Sequence, residues 1–312
     1  MRILITGGFG FIGGRLAQHL SNLGHELTLG SRKVKNPPSW LKDAKVALLD
    51  WNRPEALAIA CKNIDLVIHA AGMNAQDSFA NPISAHQFNG IATGSLINAA
   101  AKEGVKRFIY LSTAHVYSNP LSGIINEKTT PQNKHPYALS HLEGERLIRN
   151  CSSKYPIEAV IARLSNIYGP PAFLDSNCWN LFCNELCKQA IENGELRLNT
   201  NGTQKRDFLD ISSACEMLSF LCERSIGSEK LCVFNVGTGN SQTLLEMAGI
   251  IQSRCSINFG FMPKIRISAI KNIDNNSDLV FNVDQILEAG YLFKDNKVSE
   301  IDNLLMYCKK YF

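Results

Sequence analysis

Two titratable rings four residues apart give the first hint of chemistry in this sequence. In "KHPYALSHLEGE", residues 134–145, Tyr137 is followed by His141, and positions i and i+4 share one face of an α-helix. Pro136 suits the first helical turn, where a missing N–H does no harm. A tyrosine hydroxyl can give or take a proton, but its reference pKa of about 10 must fall for it to serve near neutrality. A fixed cation about 5 Å away is worth about 3 kcal/mol at an effective dielectric of about 20, or roughly two pKa units. Histidine, with a reference pKa of about 6.5, is mostly neutral at pH 7. Three states of His141 therefore stay open: a weaker neutral partner, an imidazolium charged by its surroundings, or the remnant of a site without turnover. A working site with a titrating His141 is expected to vary in rate near that residue's pKa.

The second candidate is a phosphate-binding turn. "RILITGGFGFIGGRLAQHLSNLG", residues 2–24, joins an apolar strand to a helix through Gly7, Gly10 and Gly13, with Phe11 and Ile12 opening the helix. Glycine there permits a tight turn and close backbone approach to a pyrophosphate, which the helix N-terminus then attracts. A carboxylate about 20 residues further on would hydrogen-bond the 2′-hydroxyl of NAD. "LGSRKVK" offers Ser31, Arg32 and Lys33 instead, a set suited to a 2′-phosphate. NADP(H) is the expected cofactor, with NAD(H) the alternative. Asp50, in "VALLDW" before Trp51, is placed to accept from the adenine amino group.

These residues need a scaffold. Short apolar runs at 2–6, 26–30, 45–49, 64–70, 105–111 and 157–163 alternate with helical stretches at 12–23, 54–62, 84–103 and 136–152. Strands alternating with helices predict a parallel sheet covered on both faces, with ligands at the carboxyl ends of the strands. The expected fold class is α/β: a Rossmann-type doubly wound parallel sheet with a smaller C-terminal α/β substrate lobe. The cofactor domain is expected over 1–165 and the substrate lobe mainly over 166–312. A helix is expected near 179–193, and "LCVFNVG", 231–237, could rejoin the main sheet.

Eight segments in order carry a resemblance over nearly the whole length: "TGGFGFIG" (6–13), "HAAG" (69–72), "FNGIATGSLINAA" (88–100), "YLSTAHVY" (110–117), "PYALSHLEGE" (136–145), "ARLSNIYGP" (162–170), "RDFLDIS" (206–212) and "FNVGTG" (234–239). Through them the chain resembles the extended short-chain dehydrogenase/reductases, specifically the NAD(P)-dependent epimerase/dehydratase group acting on nucleotide sugars. The resemblance implies hydride transfer at a sugar carbon, with Tyr137 as acid/base and Thr113 hydrogen-bonding the reacting oxygen. It places Ala70, Ala71, Gly72 and Asn89 at the cofactor, and gives His141 the position of a lysine that holds the nicotinamide ribose. Arg206 resembles the arginine that clamps the nucleotide diphosphate. Asn166 and Asn180 resemble sugar and phosphate contacts, against which a loop or helix-cap role weighs equally. His115 falls where the sugar ring should lie.

Departures narrow the expected reaction. Ala114 and His115 replace the Asp-Glu pair with which the family's 4,6-dehydratases eliminate water, leaving C4 epimerisation or 4-keto reduction. Ser212 and Ser213 replace an acidic pair after "RDF", a change that bears on a helix cap or domain contact. Reduction of a non-nucleotide carbonyl, or cofactor binding without turnover, remains an alternative function. The implied partners are a nucleotide-diphosphate sugar and a second copy in a homodimer.

Composition excludes little else. A net charge of +4 without a basic block argues against nucleic acid or a membrane surface as partner. No signal-peptide pattern or bilayer-length apolar run is seen, and a cytoplasmic location is expected. The ten cysteines read as free thiols. Cys178, Cys183 and Cys187 read as buried thiols in a helix rather than as a metal site.

Overall fold

The computed structural model describes residues 1–224, 227, 229–267 and 278–312. Its centre is a seven-stranded sheet in the spatial order Leu231–Val236, Glu158–Leu164, Arg107–Thr113, Leu66–His69, Arg2–Thr6, Glu26–Ser31, Lys45–Leu48. Every neighbouring pair is parallel. Strands such as Leu66–His69 are buried at each position, so their side chains are apolar on both faces. One face packs on helices Phe11–Asn22 and Ile211–Glu223 through Ile3, Ile5, Leu16 and Leu218. The other meets helices Pro54–Cys61, Ala92–Lys102 and Pro136–Lys154 through Leu4, Val67, Leu57, Leu96 and Ile148. Strand order reverses between Arg2–Thr6 and Leu66–His69, which opens a crevice at their carboxyl ends.

Strand Leu231–Val236 pairs with Glu158–Leu164 at the sheet's edge. The rest of the C-terminal half forms a mixed sheet of Asn166–Tyr168, Lys205–Asp210 and Ser241–Thr243, and a parallel pair of Glu195–Leu198 with Lys264–Ile267. Leu186, Leu196, Phe208, Met247, Ile251 and Leu304 build its separate core. A last pair, Gly123–Ile125 with Leu279–Phe281, joins an early loop to the C-terminal half.

Two helices depart from their expected extents. The stretch 84–103 is not one helix: Pro82–Ala85 leads into a π-helical turn at His86–Ile91, and Ala92–Lys102 resumes the α-helix. The wide turn carries Asn89, whose side chain bonds outside the helix, as such bulges often do at functional sites. The later helix begins at Phe182, because "CWN" stays outside it. Among the described residues, no helix is long and apolar enough to cross a membrane.

Candidate active site

The glycine turn lies in the crevice. Gly7 has φ +67°, and a Cβ there would come within 2.9 Å of the Ala70 carbonyl carbon and the Ala71 nitrogen. At Gly13 it would lie 2.2 Å from the Gly7 oxygen. Only glycine allows the turn, the Ala70–Ala71 segment and the helix to approach so closely. Helix Phe11–Asn22 starts at Gly10 with no side-chain cap and no acidic residue in its first turn. Phe11 and Ile12 pack their side chains on the core, while the first-turn N–H groups stay open for an anion. This uncapped, unneutralised cradle fits a dinucleotide pyrophosphate.

Around it, Ser31 ends the second strand and its hydroxyl accepts from the Lys33 N–H at 3.2 Å. Arg32 is exposed, its guanidinium carbon 5.6 Å from the centre of the Phe88 ring. Asp50 accepts from the Asn52 N–H at 3.1 Å, and Trp51 packs edge-on against Phe88 and tilted against His69. Asn89 is held by bonds within the chain. Its Oδ1 accepts from the Met73 N–H at 2.7 Å, and its Nδ2 donates to the Met73 carbonyl and the Ser140 hydroxyl. Through these bonds Asn89 fixes the loop after Gly72.

The tyrosine helix starts as its sequence dictates. Pro136 occupies the first turn, and His135 caps it by accepting from the Tyr137 N–H at 3.2 Å. Tyr137 and His141 lie together, ring centres 4.6 Å apart and nearly perpendicular. Thr113, at the carboxyl end of strand Arg107–Thr113, stands near enough to the Tyr137 hydroxyl to favour its ionised form. Burial pushes the phenol above its ordinary pKa, with Thr113 opposing that shift. His141 is held neutral: burial lowers its pKa to about 4 even though Glu145 favours the charged form. The attraction of Glu145 is too weak to offset the cost of burying that charge, so the imidazolium state and a rate that titrates with His141 near neutrality are disfavoured.

Behind this pair run two polar systems that sequence reasoning missed. In the first, His141 Nδ1 lies 2.8 Å from the Tyr110 hydroxyl. Close by, the Thr93 hydroxyl donates to the Asn89 carbonyl at 2.8 Å and so accepts from His69 Nε2, also at 2.8 Å. His69 Nδ1 then accepts from Thr6, whose oxygen receives the Ala71 N–H. Burial lowers the His69 pKa to about 3, so this system is neutral throughout. In the second, Glu145 accepts from Arg163 at 2.6 and 3.0 Å and from the Ser112 hydroxyl at 2.7 Å. The signal for both was present: a tyrosine within an otherwise apolar strand, and charged residues within buried segments, all need partners.

On the substrate side, Arg206 makes one side-chain hydrogen bond among the described residues, to Gln204 at 3.2 Å, and its guanidinium carbon stands 6.0 Å from the Phe182 ring centre. His115 is close enough to Arg206 to feel its charge, and burial lowers the His115 pKa to about 4. The asparagines diverge. Asn166 donates to the Asp207 carbonyl at 3.0 Å, and exposed Asn180 donates to Gln76 at 3.0 Å. Asn184 instead latches the loop above it, bonding both the N–H and the carbonyl of Gly169. Asp210 caps helix Ile211–Glu223 through the Ser213 N–H, while Ser212 accepts from Arg15 and donates to Glu300. The cap and the contact thus both form without the acidic pair. Cys178, Cys183 and Cys187 are buried free thiols, with Cys178 outside the helix.

Residues 3–237 match the model of the NAD dependent epimerase/dehydratase family. An uncharacterised UDP-glucose epimerase of Bacillus subtilis is 27% identical over 269 residues, 81% of each chain. A dTDP-D-glucose 4,6-dehydratase of Mus musculus is 27% identical over 79% of this chain and 71% of its own. In fold, the chain is similar to MoeE5 complexed with UDP-glucuronic acid and NAD, with TM-score 0.83 and 24% identity over both full chains. It is likewise similar to the Thermotoga maritima UDP-glucose 4-epimerase with UDP-glucose, with TM-score 0.84 and 20% identity over 99% of each. The nucleotide cradle, the tyrosine helix and the match over most of the length agree: this chain belongs to the NAD-dependent epimerase/dehydratase family.

Proposed function

We propose that the protein is a nucleotide-sugar oxidoreductase that transfers hydride at the sugar C4, acting first as a 4-keto reductase. One observation carries the direction: Tyr137 is a half-buried phenol, raised above its ordinary pKa and lying 4.6 Å, ring centre to ring centre, from a neutral imidazole. A protonated phenol without a fixed cation is the form that gives a proton to a carbonyl oxygen. A bound nicotinamide dinucleotide supplies the hydride. Thr113 orients the reacting oxygen and Tyr137 delivers the proton to it. Arg206, with most of its donors unengaged among the described residues, binds the diphosphate. Arg32 and Ser31, where no carboxylate stands, support a preference for NADP(H).

Water elimination is disfavoured by the local residues. Ala114 is buried and carries no acid, and His115 is neutral. Epimerisation at C4 is the second reading, favoured by the epimerase relative matched over 81% of each chain. It would require the oxidised nicotinamide's own positive charge to help ionise Tyr137. A homodimer is supported by the exposed apolar residues Phe79, Ile83 and Leu139 along and beside the tyrosine helix; light scattering tests it.

The decisive experiment follows NADPH absorbance with a panel of nucleotide 4-keto sugars. Consumption is expected, and Tyr137→Phe should lower it about 10²- to 10⁴-fold. Tight cofactor binding with no turnover on any sugar would sink the enzymatic reading. Arg32→Ala should weaken NADP about tenfold more than NAD, the scale of one charge-assisted contact; equal losses would remove the 2′-phosphate argument.

A further inference from the structure

The Tyr110 hydroxyl occupies a prepared space. It reaches toward Gly144 on the tyrosine helix, where an added Cβ would lie 2.8 Å from the Tyr110 oxygen. A glycine at that helical position forgoes about 1 kcal/mol of helix propensity relative to alanine, yet it lets the hydroxyl reach His141. Tyr110 is 2% exposed and His141 6% exposed, so the bond between them is shielded from water.

One hydroxyl proton must choose among the neighbours. His141 Nδ1 lies at 2.8 Å, whereas the Asn89 carbonyl lies at 3.3 Å and already accepts from Thr93 at 2.8 Å. An O–H···O contact at 3.3 Å lies beyond the usual range of about 2.5–3.0 Å. Thr93 has its proton on Asn89 and one of its two lone pairs turned to His69; among the described residues the short contact of the Tyr110 hydroxyl is the 2.8 Å one to Nδ1, not one to Thr93. The Tyr110 proton therefore goes to Nδ1. A neutral imidazole carries one N–H, which must then be on Nε2. Nε2 has no partner among the described residues.

We propose that Tyr110 is a positioning residue: its hydroxyl locks the His141 ring in the Nε2–H tautomer, so that Nε2 donates to an acceptor oxygen of the bound nicotinamide cofactor. This rests on the reading of Tyr137 and His141 as the catalytic pair. The arrangement lets a neutral ring do by direction what a mobile ammonium does by charge. Without the Tyr110 proton, the Nδ1–H tautomer would compete, and Nε2 would then meet the cofactor oxygen as a lone pair.

The test reads the tautomer directly, by long-range proton–nitrogen NMR of the histidine side chains at neutral pH, in the free and NAD-bound protein. Wild type is expected to show His141 protonated at Nε2. Tyr110→Phe should give a mixed or Nδ1-protonated ring, and cofactor affinity should fall roughly three- to tenfold, the worth of one hydrogen bond. In a His141→Lys background the same Tyr110→Phe change should cost the cofactor little, since a lysine needs no tautomer. Protonation at Nδ1 in wild type would overturn the proposal even if Tyr110→Phe fails to fold. So would an unchanged tautomer in the variant, or equal affinity losses in both backgrounds. The NMR and cofactor-binding results do not depend on turnover, so a failure to find a sugar substrate would count against the proposed reaction alone.

Discussion

His141 and Glu145 sit one turn apart on the buried face of one helix, yet one is neutral and the other is paired as a carboxylate with Arg163. The difference lies in what faces them. Glu145 receives two hydrogen bonds from Arg163 and one from Ser112, with Arg149 3.7 Å away. In return, Glu145 holds the Arg163 guanidinium above its ordinary pKa despite the burial that opposes it. His141 receives one neutral hydroxyl, and burial decides its state. Proximity of Glu145 raises the His141 pKa too little to matter, because that carboxylate is already matched. A buried site is charged only where hydrogen bonds and a counter-charge arrive together.

The contrast can be broken from either side. The largest expected effect is on the ionic side: Arg163→Leu leaves Glu145 without its buried partner and should destabilise the fold by about 3–5 kcal/mol in urea unfolding. A loss below about 1 kcal/mol would mean that Arg149 and solvent serve Glu145 as well as Arg163 does. Next, His141→Lys places a cation beside Tyr137 and should lower the phenol pKa by roughly two units, read by ultraviolet titration of the phenolate. An unshifted phenol would show that the lysine is itself neutralised by burial.

Acid should act on the neutral side, and the sign follows from the shifts. His69, His115 and His141 have folded pKa values lowered to about 3, 4 and 4. The unfolded chain binds protons first, so their stabilising contribution is complete above about pH 6.5 and is lost as pH falls toward 4. Unfolding midpoints should be flat from pH 7 to 8 and drop below about 6. Turnover should likewise show no step from His141 between pH 6 and 8, the smallest and most easily missed of these effects.

What could be read from the sequence depended on how far apart the interacting residues are in the chain. The glycine turn was legible because Gly7 and Gly13 constrain each other within a few residues, and the Tyr137–His141 pair because helical spacing alone brings them together. Strand alternation likewise gave the parallel sheet. Tyr110 was not legible as a partner of His141: 31 residues separate them, and "RFIYLST" reads as an ordinary buried strand. The bonds of Asn89 to Met73 and Ser140 could not be read from the chain, because they depend on a π-helical turn that the stretch 84–103, read as one helix, did not suggest. Asn184 was not singled out by sequence, since its role lies in side-chain direction: Asn180 meets Gln76 at the surface, whereas Asn184 bonds the Gly169 backbone.

The edge strand Leu231–Val236 has a consequence for how the polypeptide can be divided. It pairs residue by residue with Glu158–Leu164, from Leu231 beside Ala159 to Val236 beside Leu164. A fragment ending at residue 165 would carry the whole glycine turn and tyrosine helix but leave that row of N–H and C=O groups bare. Such an edge recruits other chains, so the fragment should associate rather than stay monomeric. Split reporters, domain grafts and truncations of this protein must therefore keep residues 231–236 with the N-terminal piece, supplied in trans if not in cis.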